Sequence, residues 1–196
     1  DLGYIANTLL NHPDIARELV RLFKTRFYLA RKLNADDLHD KQHKLEQAIL
    51  GALDNVAVLN EDRILRRYLD LIKATLRTNF YQPDASGENK GYFSFKFDPS
   101  AITDLPRPVP KFEIFVYSPR VEGVHLRFGN VARGGLRWSD REEDFRTEVL
   151  GLVKAQQVKN AVIVPVGAKG GFVPRRLPVG GGRDEICLLY TSDAAD

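Results

Sequence analysis

Near residue 82 the spacing of apolar side chains changes from three-and-four to two, so one uniform architecture cannot cross that point. Up to about Tyr81 the pattern is helical. His12-Pro13-Asp14 opens a segment in which Ile15, Leu19, Leu22, Phe23 and Phe27 recur at helical spacing. Asn34, Asp36 and Asp37 offer caps to a second helix, with Leu38, Leu45, Ile49, Ala52 and Leu53 on one face. Asn60 precedes a third, striped by Ile64, Leu65, Tyr68, Leu69, Ile72 and Leu76. Its cations Arg63, Arg66, Arg67, Lys73 and Arg77 lie mostly off that stripe. With no aromatic platform beside them, they read as a solvated face rather than a nucleic-acid surface.

Gln82 to Gly91 is rich in turn formers, and the domain boundary is expected there. Beyond it, Tyr92–Phe97 alternates with period two and reads as a strand, as do Phe112–Tyr117 and Val124–Phe128. Pro106, Pro108 and Pro110 form a stiff connector between the first two. A helix is expected from Ser139, whose hydroxyl with Glu142 fits a capping box. Asp140, Glu142, Glu143 and Asp144 suit the positive end of its dipole, and Lys154 and Lys159 the negative end. Phe145, Val149, Leu152, Val153 and Gln156 share one side of it, as a helix covering a sheet requires. A buried strand at Ala161–Val164 follows. The expected class is α/β, arranged as α+β within this chain: helical over 1–82, strand-rich over 83–186.

The chain has 196 residues, starts at Asp1 and contains no methionine, which reads as an internal piece of a longer protein. Residues 187–196 look like one frame of a sequencing adapter joined to the gene, a tail outside the fold. Setting them aside removes Cys187, the only cysteine, and with it any disulfide, thiol nucleophile or cysteine-based zinc site. It also removes Asp193 and Asp196, raising the formal charge from +3 to +5. That balance falls short of a nucleic-acid-binding tail. No stretch approaches the ~18 apolar residues of a membrane span. His39 and His43 stand four apart without an acidic ligand motif, so no metal site is expected. Trp138 reads as a packing anchor.

The chemistry concentrates in two glycine turns. Arg133-Gly134-Gly135-Leu136-Arg137-Trp138 precedes the helix, and Gly167-Ala168-Lys169-Gly170-Gly171 follows the apolar run Ala161–Val166. A lysine clasped by glycines can come close to a small substrate, and cations converging on it would favour its free amine and attract carboxylates. A phosphate loop fits poorly: no Gly-Lys-Ser/Thr occurs, and Pro174 and Pro178 oppose the helix that a phosphate needs. The dinucleotide fingerprint is missing, and Gly180-Gly181-Gly182 reads as loop. Glycines serving a tight turn with a solvated lysine, and a module binding an anionic metabolite or protein partner without catalysis, stay open as alternatives.

From about Val121 to Arg183 the chain strongly resembles glutamate dehydrogenases, most closely the large bacterial NAD-specific class. The resemblance rests on Arg133–Asp140, on the helix through Lys154-Ala155-Gln156, and on Lys159 to Phe172. It implies that residues 83–186 are part of a substrate-binding catalytic domain. It also implies oxidoreductase activity in glutamate catabolism: NAD-dependent deamination of L-glutamate to 2-oxoglutarate and ammonia. Lys169 corresponds to the catalytic lysine, Lys159 to a substrate-carboxylate ligand, and Arg133-Gly134 to a further substrate contact. Compact members carry a lysine at the position of Arg133, and arginine changes the geometry from point charge to fork. The NAD-binding Rossmann domain and a catalytic aspartate are expected outside this segment, so the segment alone is expected to be inactive. A cytoplasmic, homo-oligomeric bacterial parent, binding neither nucleic acid nor membrane, completes the expectation.

Overall fold

A computed structural model describes residues 2–28, 34–130, 134–160 and 167–176, without the side chains of 156–160. The expected strand at Ala161–Val164, the triple glycine at 180–182 and the tail at 187–196 lie outside the described residues. The chain divides into two compact units, Asp1–Lys90 with Phe95–Glu113, and Gly91–Ser94 with Ile114–Asp196.

The first unit is built on four helices: α1 (Leu2–Asn11), α2 (Pro13–Phe27), α3 (Ala35–Leu53) and α4 (Leu59–Ala74). Pro13 sits in the first turn of α2, where its missing N–H costs no helical bond. Ile15, Leu19 and Leu22 of α2 meet Ile49 and Leu53 of α3 and Leu65 and Leu69 of α4 in one buried cluster. Each such side chain contributes about 1.5–3 kcal/mol on burial. Asn34 caps α3 as its sequence position suggests, its Oδ1 accepting the Asp37 N–H at 2.8 Å. At the α1–α2 junction, His12 Nε2 lies 2.8 Å from Glu61 Oε2, and Asn11 donates to Glu61 Oε1 at 2.9 Å. These two bonds, His12 first, hold the Glu61 carboxyl below the usual carboxylate range.

Helix α4 departs from expectation at both ends. It begins at Leu59, and it stops at Ala74, so Leu76 is 46 % exposed instead of joining the stripe. Strand β1 (Thr75–Thr78) takes over and pairs antiparallel with β2 (Phe93–Phe97). Thr75 and Thr78 are β-branched and suit extended backbone, and strand pairing here outweighs the helical spacing. Arg26 reinforces the stop, its Nη2 donating to the carbonyls of Lys73 at 3.1 Å and Thr75 at 3.4 Å. The α4 cations are engaged locally: Arg66 with Asp62, Lys73 with Glu46, and Arg67 with the Thr103 carbonyl.

In the second unit the strand order is β3 (Phe112–Tyr117, within the unit from Ile114), β4 (Val121–Arg127), β6 (Ala168–Pro174), β5 (Leu136–Trp138). The β3–β4 turn closes on Ser118, whose Oγ accepts the N–H groups of Arg120 and Val121 at 3.2 and 3.0 Å. β4 and β6 run antiparallel over seven residue pairs, while β5 and β6 are parallel with helix α5 (Phe145–Asn160) as the crossover. Phe145, Val149 and Leu150 pack with Val124, Leu126 and Val173 beneath them. The expected helix-on-sheet packing is present, but the strands that flank the helix, β5 and β6, fall where glycine turns were expected. The chain is mixed α/β, helix-rich first and strand-rich second.

Helix α5 starts later than its sequence suggests. Ser139 does not form the capping box; it is buried, and its hydroxyl donates to Glu148 Oε2 at 2.6 Å. The Asp144 carbonyl accepts the first helical N–H groups, from Thr147 and Glu148.

Candidate active site

Lys169 does not sit in a loop. Ala168 to Pro174 forms strand β6, and Lys169 faces Leu126 across the β4 ladder. The glycines after it serve packing. A Cβ at Gly171 would lie 2.5 Å from Val149 Cγ2, so only glycine lets α5 close on that face. A Cβ at Gly170 would lie 2.3 Å from Leu136 Cδ2 and 3.1 Å from His125 Cδ2 on the other face. Sequence reading took a glycine run as a turn because glycine is poor in strands. Here, the helix approaches the backbone from one face and side chains crowd it from the other, which favours glycine in the strand.

The upstream glycine turn splits likewise. Leu136-Arg137-Trp138 is strand β5, paired with Gly170, Gly171 and Phe172. Ahead of it, Gly134 has φ +157°, and a Cβ there would lie 1.5 Å from the Ala168 carbonyl oxygen and 3.5 Å from the Lys169 nitrogen. The Gly170 N–H donates to the Gly135 carbonyl at 3.3 Å. The backbones of the two glycine motifs are thus in direct contact, one beside Lys169. Arg133, immediately upstream of Gly134, lies outside the described residues.

Lys159 is in the last turn of α5, and its side chain is outside the described ones. Topology places its backbone. The first turns of α5 pack on Gly171 through Phe145 and Val149, and as the crossover between parallel strands α5 runs back toward the start of β6. The C-terminal end of α5 and Lys169 therefore belong to the same edge of the sheet.

Alternation fixes which groups share the Lys169 face. Successive residues of a strand point to opposite sides, so Lys169, Gly171 and Leu126 face α5, while Gly170 and His125 face away. Arg137, opposite Gly171, also faces α5, and its Nε meets Glu148 Oε1 at 3.0 Å. Glu148 thereby ties β5 to α5 through both Arg137 and Ser139. Sequence reading missed this link, because Ser139 and Glu148 are joined across a turn that no local signal marks. Trp138 is 42 % exposed on β5. Burial and the nearby Arg127 hold the His125 imidazole below its ordinary value. Across β4, Arg175 just after β6 engages Glu122.

The arrangement is a cation on a strand, beside glycine backbone, with the C-terminal end of a helix at the same edge of the sheet. It suits a small carboxylate better than a nucleotide. The glycine N–H groups that a pyrophosphate would need stand in a ladder, and both faces of Gly170-Gly171 are filled.

Comparison with known proteins identifies the family. The bacterial NAD-glutamate dehydrogenase catalytic domain matches residues 48–192, and glutamate dehydrogenase helical motif 3 matches residues 1–29. The first match begins inside α3 and runs into the 187–196 segment. Over 186 residues the chain is 87% identical to the NAD-specific glutamate dehydrogenase of Pseudomonas aeruginosa, covering 95% of this chain and 12% of that protein. It is 62% identical over 181 residues to the enzyme of that name from Halomonas elongata, covering 92% of this chain and 11% of the relative. For the Mycobacterium tuberculosis enzyme the identity is 53% over 178 residues, with 90% and 11% covered. The chain thus spans only about 12% of the length of these relatives.

Proposed function

The chain belongs to the bacterial NAD-glutamate dehydrogenase catalytic-domain family, and from that premise we propose that the full-length protein oxidises L-glutamate to 2-oxoglutarate and ammonia with NAD. NAD supplies the hydride acceptor for the substrate α-carbon. The residues of this chain supply part of the substrate site. Glutamate carries two carboxylates and one amine, so its site needs at least two cationic anchors and one basic group. Arg133 and Lys159 are the anchors, through charge-assisted hydrogen bonds. Lys169 takes a proton from the water that adds to the substrate iminium carbon; the C–N bond then breaks and ammonia leaves.

The observation that supports this most is the packing of Gly134 on Ala168 and Lys169. It brings the Arg133 motif to the lysine without an intervening side chain. No observation favours the non-catalytic binding module. Among the described residues no helix is long and apolar enough to cross a membrane. A cytoplasmic location and a homo-oligomeric full-length protein belong to this proposal and rest on family membership.

The test is an assay of the purified full-length protein with glutamate and NAD, following NADH and ammonia together. Equimolar appearance of both is expected. Neither product from well-folded protein would overturn the reading.

A further inference from the structure

Glu148 is the fourth residue of α5, and both of its carboxylate oxygens are engaged. Oε2 accepts the Ser139 hydroxyl at 2.6 Å, and Oε1 lies 3.0 Å from Arg137 Nε. The two bonds are unequal. The Arg137 side chain is 60 % exposed, so water screens that pair and it contributes little. Ser139 is buried, and without the carboxylate its hydroxyl would lose this acceptor inside the protein. Ser139 is in turn fixed to the sheet. Its N–H donates to the Phe172 carbonyl at 2.9 Å, and its Oγ accepts the Arg141 N–H at 3.1 Å.

The carboxylate therefore joins two elements whose other ends carry the proposed anchors. β5 is a three-residue strand at the edge of the sheet, too short for its own ladder bonds to hold it firmly. Arg133-Gly134 lies directly ahead of it, with Gly134 against the backbone of Ala168 and Lys169. α5 ends in the turn that holds Lys159. A dicarboxylate of fixed length needs its two cationic anchors at a fixed spacing, and that spacing depends on how β5 and α5 lie against each other. We propose that Glu148 is a positioning residue of the glutamate site: it touches no substrate, and it sets the spacing of the anchors by holding the start of α5 to the end of β5 through Ser139. This rests on the glutamate reading above and adds the group that keeps its two anchors in register. The reach of the side chain matters more than its charge. Glutamine spans the same distance and offers a carbonyl to the Ser139 hydroxyl, whereas aspartate keeps the charge and is one methylene shorter.

The experiment compares Glu148→Gln, Glu148→Asp and Glu148→Ala in the full-length protein, with melting temperature, kcat, KM for glutamate and KM for NAD as readouts. A misplacement of about 1 Å in such a site costs up to about 10²-fold, so Glu148→Asp and Glu148→Ala should lose about 10- to 100-fold in kcat/KM for glutamate. The loss should fall mainly on KM for glutamate, with KM for NAD at the wild-type value. Glu148→Gln should stay near the wild type in both. A purely structural Glu148 would lower the melting temperature of the Asp and Ala variants and leave KM for glutamate unchanged in the folded protein, and that result would overturn the assignment. A Glu148→Gln protein as impaired as Glu148→Ala would overturn it too, by making charge the property that counts. If Glu148→Ala does not fold, Glu148→Asp decides between these outcomes. A folded wild type with no glutamate turnover would instead remove the underlying reading, and this inference with it.

Discussion

His125 stands opposite Gly170 on the sheet face turned away from α5, half-buried and in the field of Arg127. Both influences disfavour its charged form, burial more than the neighbouring guanidinium, and hold its folded pKa below the unfolded value near 6.5. The sign of the linkage follows. Below about pH 6.5 the unfolded chain takes up a proton that the folded one resists, so stability present above that pH is lost as pH falls through the folded pKa. His125→Gln should flatten this acid-side decline. Thermal melts of the wild type and the variant from roughly pH 7.5 to roughly pH 5, a window spanning the titration of a free imidazole, check it. Parallel curves would show that His125 contributes nothing to the slope.

Among the elements, the α4–β1 junction shows how side chains decide where a helix ends. Arg26 reaches from α2 to the carbonyls of Lys73 and Thr75, with Nη1 near Gln42 Oε1 at 3.4 Å. Burial lowers its pKa, against an opposing pull from Glu46. Arg26→Ala should leave those carbonyls without this donor and cost roughly 1–3 kcal/mol. Hydrogen exchange at residues 70–78 should quicken, and unchanged exchange there would contradict this account of the junction. The same region marks what sequence could show. α2 and the Asn34 cap were legible because their signals are local: a proline in the first turn, an apolar stripe, an amide three residues before its partner N–H. The end of α4 was not, because Leu76 continues the helical spacing and only the pairing of β1 with β2 removes it. β6 was hidden for the opposite reason. Gly170 and Gly171 carry no side chains to alternate, and their strand is defined by what packs on them. Of the candidate site, the meeting of the two glycine motifs was readable. The strand beneath Lys169 and the Ser139–Glu148–Arg137 link come from contacts distant in sequence.

For the whole molecule, this chain spans about 12% of the length of its curated relatives, and the proposed site is one wall of what the full-length protein needs. Within that wall, Gly134 lets two backbones touch and α5 returns its C-terminal end toward the start of β6, and Arg133 and Lys159 are proposed to meet Lys169 there. The proposed chemistry stands or falls on Lys169 as the group that acts on water. The most direct test is Lys169→Ala in the full-length protein, assayed for NADH formation from saturating glutamate and NAD. Loss of a general base of this kind costs about 10²–10⁴-fold in kcat, with the melting temperature expected to stay at the wild-type value. Turnover within about threefold of the wild type, well inside that range, would contradict the central claim.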